Sequence, residues 1–190
     1  MQAGCVRRPE AQRGVTLIEL MVAIVMLAIL AAMAVPSFVD FRERAIVRGV
    51  AEQLLTQVSN ARFEAVKRNA DVRVTVIRTS ETEWCLGASE GSAAACDCTV
   101  RTVAAANYCE LGYFPQVDGD LQGARMAAVN GFDFVINPAL GTLTNIAAAN
   151  DTTLQAPTRA YQLAYTVSPL AHGRICVPAG KPAISGYDDC

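Results

Sequence analysis

One histidine, His172, and one tryptophan, Trp84, are all that 190 residues contain of either type. With a single imidazole, any Ser-His or Cys-His chemistry has to pass through His172. No G-x-S-x-G, H-E-x-x-H, P-loop or G-x-G-x-x-G fingerprint is read as accompanying it. A histidine standing just before Gly173 reads as a structural or solvated loop residue, so no catalytic residue, cofactor or metal is assigned. Charge is also scarce and nearly balanced, with 16 Lys+Arg against 18 Asp+Glu and a net charge of −2. That balance excludes bulk attraction for nucleic acid and leaves any basic site local. No repeat with a period of about 20–50 residues is present. The Ala/Ser stretch Ala88 to Ala95 reads as a loop within one domain.

What the sequence does have is one long apolar run. From Val15 to Val35 a single charge, Glu19, interrupts it. As a helix rising ~1.5 Å per residue this run is about 32 Å long, enough to cross a bilayer core. A secretory signal peptide is one reading: Arg7, Arg8 and Arg13 form the basic region, Leu17 to Leu30 the apolar centre, and Ala32-Met33-Ala34 a cleavage site. Against it stand the length of the run, the helical pattern that continues beyond the supposed cut, and Glu19 itself. A carboxylate in hydrocarbon costs roughly 2.5 kcal/mol or more and calls for a partner. Charge alone leaves orientation open, because Arg42, Arg44 and Arg48 follow the run as Arg7, Arg8 and Arg13 precede it.

Gly14-Val15-Thr16-Leu17-Ile18-Glu19-Leu20 resembles the type III signal of type IV pilins and type II secretion pseudopilins. The segments Ala61 to Arg68 (ARFEAVKR), Phe134 to Asn145 (FVINPALGTLTN) and Val167 to Val177 (VSPLAHGRICV) are similar to the FimT/GspH branch of that superfamily. The resemblance implies an α+β, pilin-like fold. A long N-terminal helix, apolar in its first half and amphipathic in its second, packs on a β-rich, disulfide-stapled C-terminal domain. It implies a leader, 1–14, removed by a prepilin peptidase after Gly14, with methylation of the new N-terminus at Val15. Residues 15–36 form the transmembrane and assembly half of the helix, and residues 37–190 the amphipathic half and the periplasmic domain. Glu19 and Pro36 become the fifth and twenty-second mature residues, where the superfamily carries Glu and Pro. Val15 departs from the usual Phe. The implied partners are other pilins or pseudopilins, the peptidase and the inner membrane. The implied function is filament assembly, in a type IV pilus or a type II secretion pseudopilus. Glu19 then has its partner, since a carboxylate in one subunit can neutralise the α-amino group of Val15 in its neighbour.

Beyond Pro36, which should kink the helix, Val47, Ala51, Leu54, Val58, Ala61 and Ala65 recur in steps of four and three and trace one helical face. Asn69-Ala70-Asp71 supplies the stop, and Val72, Val74 and Val76 then alternate with polar residues as a strand does. Further strands are expected at Trp84 to Leu86, Cys98 to Val103, Phe132 to Ile136, Gly141 to Ile146 and Tyr161 to Val167, and the resemblance implies a terminal G-R-x strand within Val167 to Val177.

Seven cysteines imply an oxidising compartment. Cys85, Cys96, Cys98 and Cys109 are separated by eleven, two and eleven residues. Four thiolates can hold zinc, but the usual C-x-x-C knuckle is missing and disulfides suit an exported domain better. Cys96 and Cys98 are too close for an easy mutual bridge, so each pairs with Cys85 or Cys109 in an order left open. Cys176 and Cys190 are expected to bridge, because the segment between them shows no apolar alternation that would hold it down unaided.

A DNA-receptor role in transformation is the alternative to assembly. FimT proteins present a G-R-x-R tail to DNA, and here Gly173-Arg174-Ile175-Cys176 replaces the second arginine by cysteine. Arg174 and Lys181, near Tyr187, with Arg62, Lys67 and Arg68 at the helix end, are the candidate contacts. Asp188 and Asp189 oppose them, and loss of the leader's three arginines and one glutamate moves the net charge from −2 to −4. DNA is therefore not favoured. A secreted enzyme with a cleaved signal peptide is a third reading, without an active-site constellation. Intact-mass spectrometry of the membrane-extracted protein should show a chain beginning with methylated Val15. A chain beginning at Val35 would restore the signal peptide.

Overall fold

The computed structural model describes residues 15–91, 95–117, 119–130, 132–144 and 151–190, leaving aside the side chains of 34–36, 128 and 130. Gly14 with the rest of the leader, the side chain of Pro36, and Asn145 and Ile146 lie outside the described residues. Helix α1 (Leu17–Arg68) is followed by β1 (Val72–Arg78), β2 (Trp84–Glu90), β3 (Gly112–Phe114), β4 (Arg125–Asn130), β5 (Asp133–Asn137), β6 (Thr142–Leu143), β7 (Asp151–Gln155), β8 (Gln162–Val167) and β9 (Gly173–Cys176). The chain divides into two compact units, Met1–Asp40 and Phe41–Cys190, and α1 contributes to each.

In the second unit the stripe of α1 organises the core. Val47, Ala51, Leu54, Val58, Ala61 and Ala65 are all at most 1% exposed. Three of the six are alanine, which lets the backbone come close to what it covers. α1 ends in a Schellman motif: the Asn69 N–H donates to Val66 O at 3.3 Å and the Ala70 N–H to Ala65 O at 3.2 Å. Asn69 takes the left-handed conformation this motif needs, with φ 51°. Two antiparallel sheets carry the rest, one in the order β3-β2-β1-β5-β6 and one in the order β4-β7-β8-β9. Val72, Val74, Leu86, Phe134 and Ile136 from the first join Leu154, Leu163, Tyr165 and Val167 from the second in one cluster with the helix stripe.

The other face of the first sheet has a small core of its own. Disulfides Cys85–Cys98 and Cys96–Cys109 interlock, and all four cysteines are buried with Ile77 and Tyr113 packed against them. The sulfurs sit directly over Gly87, where an added Cβ would collide with Cys109 Sγ and lie 3.0 Å from Cys96 Sγ. This cover explains why Cys98 to Val103, expected as a strand, is loop and turn instead. Cys98 is drawn inward to Cys85, and Asp97 closes a turn by accepting from the Thr99 N–H at 2.9 Å. Ala88 to Glu90, expected in a loop, complete β2. Strand β6 is shorter than the expected Gly141 to Ile146. Strands β3, β4 and β7 are additions to the sequence reading. β4 hides its alternation behind a register shift between Met126 and Ala128.

The tail corrects another expectation. The segment between Cys176 and Cys190, which are joined by a disulfide, is also held by burial and pairing. Val177 and Ile184 are buried, the Val177 N–H donates to Asp188 O at 2.8 Å, and the Cys190 N–H donates to Val177 O at 2.9 Å. Tyr187 O–H donates to Glu52 Oε1 at 2.9 Å, the Arg48 guanidinium stands 5.4 Å from the Tyr187 ring, and Arg48 also donates to Ser185 O. These partners lie on α1, far away in sequence, so no local alternation announces them.

Gly173 opens β9 for a steric reason. An added Cβ there would lie 2.5 Å from Tyr165 Oη and 2.7 Å from Leu55 Cδ1. The Tyr165 hydroxyl is buried without a hydrogen-bond partner among the described residues, and burial pushes its pKa up. Gly173→Ala should destabilise the fold by about 1–3 kcal/mol through overpacking. Tyr165→Phe should stabilise it by about 1 kcal/mol, because it removes an unsatisfied buried hydroxyl. In the double variant the two effects should fail to add, since the hydroxyl is part of the clash. Denaturant unfolding of all three variants checks this.

Burial first, and then its hydrogen bond to Glu52, push Tyr187 from 10.0 up to about 12. The folded state therefore holds this proton more tightly than the unfolded chain. The contribution is complete below about pH 10 and is lost as pH rises through about 12. Alkaline titration followed by tyrosinate absorbance should show the tail loosening in that window, and Tyr187→Phe should remove the step.

Candidate functional site

Thr16 caps α1. The Glu19 N–H donates to Thr16 Oγ1 at 3.3 Å and the Leu20 N–H donates to Thr16 O at 3.2 Å. Thr16-x-x-Glu19 is the spacing of a capping box, and Glu19 is the acidic residue of the first turn, where the helix dipole favours a carboxylate. The sequence reading gives Thr16 no role, although this spacing is its signal. Glu19 has no ion-pair partner among the described residues, so its charge is free for another molecule.

The first half of α1, which Glu19 heads, is exposed at every described side chain from Leu17 to Met33. Leu17, Ile18, Leu20, Met21, Val22, Ile24, Val25 and the apolar residues on to Met33 are all exposed, around the whole circumference of the helix. Its most apolar 18-residue window has a mean hydropathy of 2.7 and is 0% buried. Each large side chain left in water forgoes roughly 1.5–3 kcal/mol. Such a helix, long and apolar enough to cross a membrane, requires lipid or other apolar helices around it.

The cations considered for DNA fall into separate settings. Lys67 Nζ stands 3.1 Å from Glu64 Oε1, and Arg68 Nε stands 2.7 Å from Glu64 Oε2, with Glu90 at 3.3 Å. The Arg68 hydrogen bond, then that of Lys67, holds Glu64 below the usual carboxylate range. Arg62 donates through Nε to Gly141 O at 3.0 Å and lies 3.1 Å from His172 Nε2, tying two turns to the helix. Arg174 and Lys181 are exposed. On β9 the core side is taken by Gly173, against Leu55 of α1, and by Ile175, so Arg174 points to the face of the sheet away from the helix that bears Arg62.

His172 is engaged by Arg62, and Cys85, Cys96, Cys98, Cys109, Cys176 and Cys190 are all in disulfides. Among the described residues no His, Cys, Asp and Glu side chains group to hold a metal ion. Gly87-Ala88-Ser89-Glu90-Gly91 does satisfy G-x-S-x-G, a match the sequence reading passes over. The nucleophile elbow needs a strand-to-helix turn. Here the string ends a plain β-strand, with Ser89 buried and unpartnered opposite Arg73.

Residues 11–35 match the family of the prokaryotic N-terminal methylation motif, and residues 50–170 match the family of type II transport protein GspH. No solved structure matches the chain. The methylation motif covers the capped, exposed apolar helix, which reads as a membrane anchor. The second match covers the helix stripe from Ala51 on and every strand except β9, well over half of the chain, so the protein belongs to the GspH family of pilin-like structural subunits rather than to any class of enzyme.

Proposed function

We propose that this chain is a minor pilin or pseudopilin, stored in the inner membrane by the first half of α1 and drawn from there into a type IV pilus or a type II secretion pseudopilus. The observation that carries the reading is the apolar helix exposed all round, headed by Glu19 and starting directly after the Gly14-Val15 junction. A prepilin peptidase cuts that junction and methylates Val15. The new α-amino group is a cation at the end of an apolar rod, and Glu19 of an adjacent subunit is its counter-charge. Three disulfides in the second unit support a periplasmic location for it, since such bonds persist in oxidising compartments. Both filament systems use the same helix physics, and the subunits pulled down with the protein decide between them. DNA has less support, because Lys67 and Arg68 are paired with acids and Arg174 faces away from Arg62.

Glu19 has two separable roles, one in the helix cap and one as a charge. Glu19→Gln keeps a capping-box residue and removes the charge, while Glu19→Ala removes both. Both variants should be cleaved and inserted normally, and both should be lost from sheared filaments by more than about tenfold, as a missing ion pair in an apolar bundle demands. Normal incorporation of Glu19→Gln would reduce Glu19 to a helix cap.

A further inference from the structure

A cleft of about 430 Å³ opens between α1 and the loop that follows β3. Its polar lining is made of carboxamides: Gln53 and Gln57 come from the helix, and Gln116 and Gln122 from the loop. Four of the six glutamines among the described residues meet here. None of these four side-chain amides makes a hydrogen bond within the described residues. Asp120, the one charged residue of the lining among the described residues, is occupied in shaping its own loop. It accepts from the Gln116 N–H at 2.9 Å and from the Val117 N–H at 3.1 Å. Among the described residues no lysine, arginine or histidine lines the cleft.

Gly49 lies in the same lining, in the middle of α1. A Cβ built on it would meet nothing within 4 Å, so the protein's own packing does not require a glycine. Glycine is the weakest helix former after proline, and its presence here leaves helix backbone bare where a side chain would otherwise fill the cleft. Ile46, Val50 and Phe114 also border the space, but each is buried in the core and offers the cleft little of its side chain.

We propose that this cleft binds a neutral saccharide bearing hydroxyl and acetamido groups, as in an N-acetylated glycan chain. Each carboxamide offers a carbonyl acceptor and two N–H donors on one plane. That combination matches hydroxyl and acetamide groups, which donate and accept together. The lack of a cation leaves phosphates and carboxylates without a counter-charge, and the volume falls within the range of small-molecule sites. The site uses neither Glu19 nor Val15, and the inference does not depend on the assembly reading.

The full chain, extracted in a zwitterionic detergent without a sugar headgroup, is titrated calorimetrically with tri-N-acetylchitotriose. Saturable binding is expected, unchanged between about 0.05 and 0.5 M salt because no charge pair is screened. Gly49→Met should fill the cleft, keep or raise Tm, and weaken binding at least about tenfold, and Gln53→Ala with Gln57→Ala should weaken it similarly. Maltotriose, which lacks acetamido groups, should bind at least about tenfold more weakly. No saturable heat up to about 10 mM saccharide would overturn the proposal. So would unchanged binding by Gly49→Met, equal binding of maltotriose, or binding of a neutral Ala/Gln peptide in place of the saccharide.

Discussion

Burial of one helical stripe is the interaction on which the second unit depends. Val47, Ala51, Leu54, Val58, Ala61 and Ala65 recur in steps of four and three, and the two sheets close over them in a single cluster. The alternation of the strands follows from that burial. Val72 and Val74 of β1 face the stripe, which sends Arg73, Thr75 and Ile77 to the opposite face of the sheet. A truncation such as Leu54→Ala would remove contacts shared by both sheets, at a cost of about 2–5 kcal/mol.

A sheet with a helix on one side still has a second side to protect. Here the interlocked disulfides Cys85–Cys98 and Cys96–Cys109 make the cover, with Ile77 and Tyr113 beside them. Small domains short of apolar residues commonly use disulfides in this way. The cover fits because Gly87 has no side chain under the sulfurs. The C-terminal clip differs in kind. Cys176–Cys190 closes a segment that Ile184 and Tyr187 also dock, so covalent and non-covalent restraints act on the same loop.

The first half of α1 obeys a different solvent. Its described side chains from Leu17 to Met33 are apolar but for Glu19, and all are exposed. The polar end of that rod is organised by Thr16 and Glu19, and the cap satisfies the Glu19 N–H while leaving the carboxylate without an ionic partner. One helix therefore links a rod that needs lipid or other helices to a unit that satisfies itself. The single histidine serves as a strut between Arg62 and the turn before β9, in keeping with a family of structural subunits.

The helix and its two regimes were legible in the sequence because they are written in local periodicity. An uncharged run, a glycine-bounded motif and a 4-3 spacing need no tertiary information. Strands β1, β5 and β8 announced themselves by alternation in the same way. β4 did not, because its bulge breaks the period, and β3 is too short to show one. Cys98 to Val103 read as a strand because Thr99, Val100, Thr102 and Val103 are β-branched, although Val103 is exposed and only Cys98 is drawn inward. The order of the cysteine pairs, the anchoring of the tail through Arg48, Glu52 and Tyr187, and the gathering of Gln53, Gln57, Gln116 and Gln122 around Gly49 were decided by tertiary structure alone. Each joins residues far apart in the chain, and adjacency of that kind is created when the stripe of α1 draws the two sheets together.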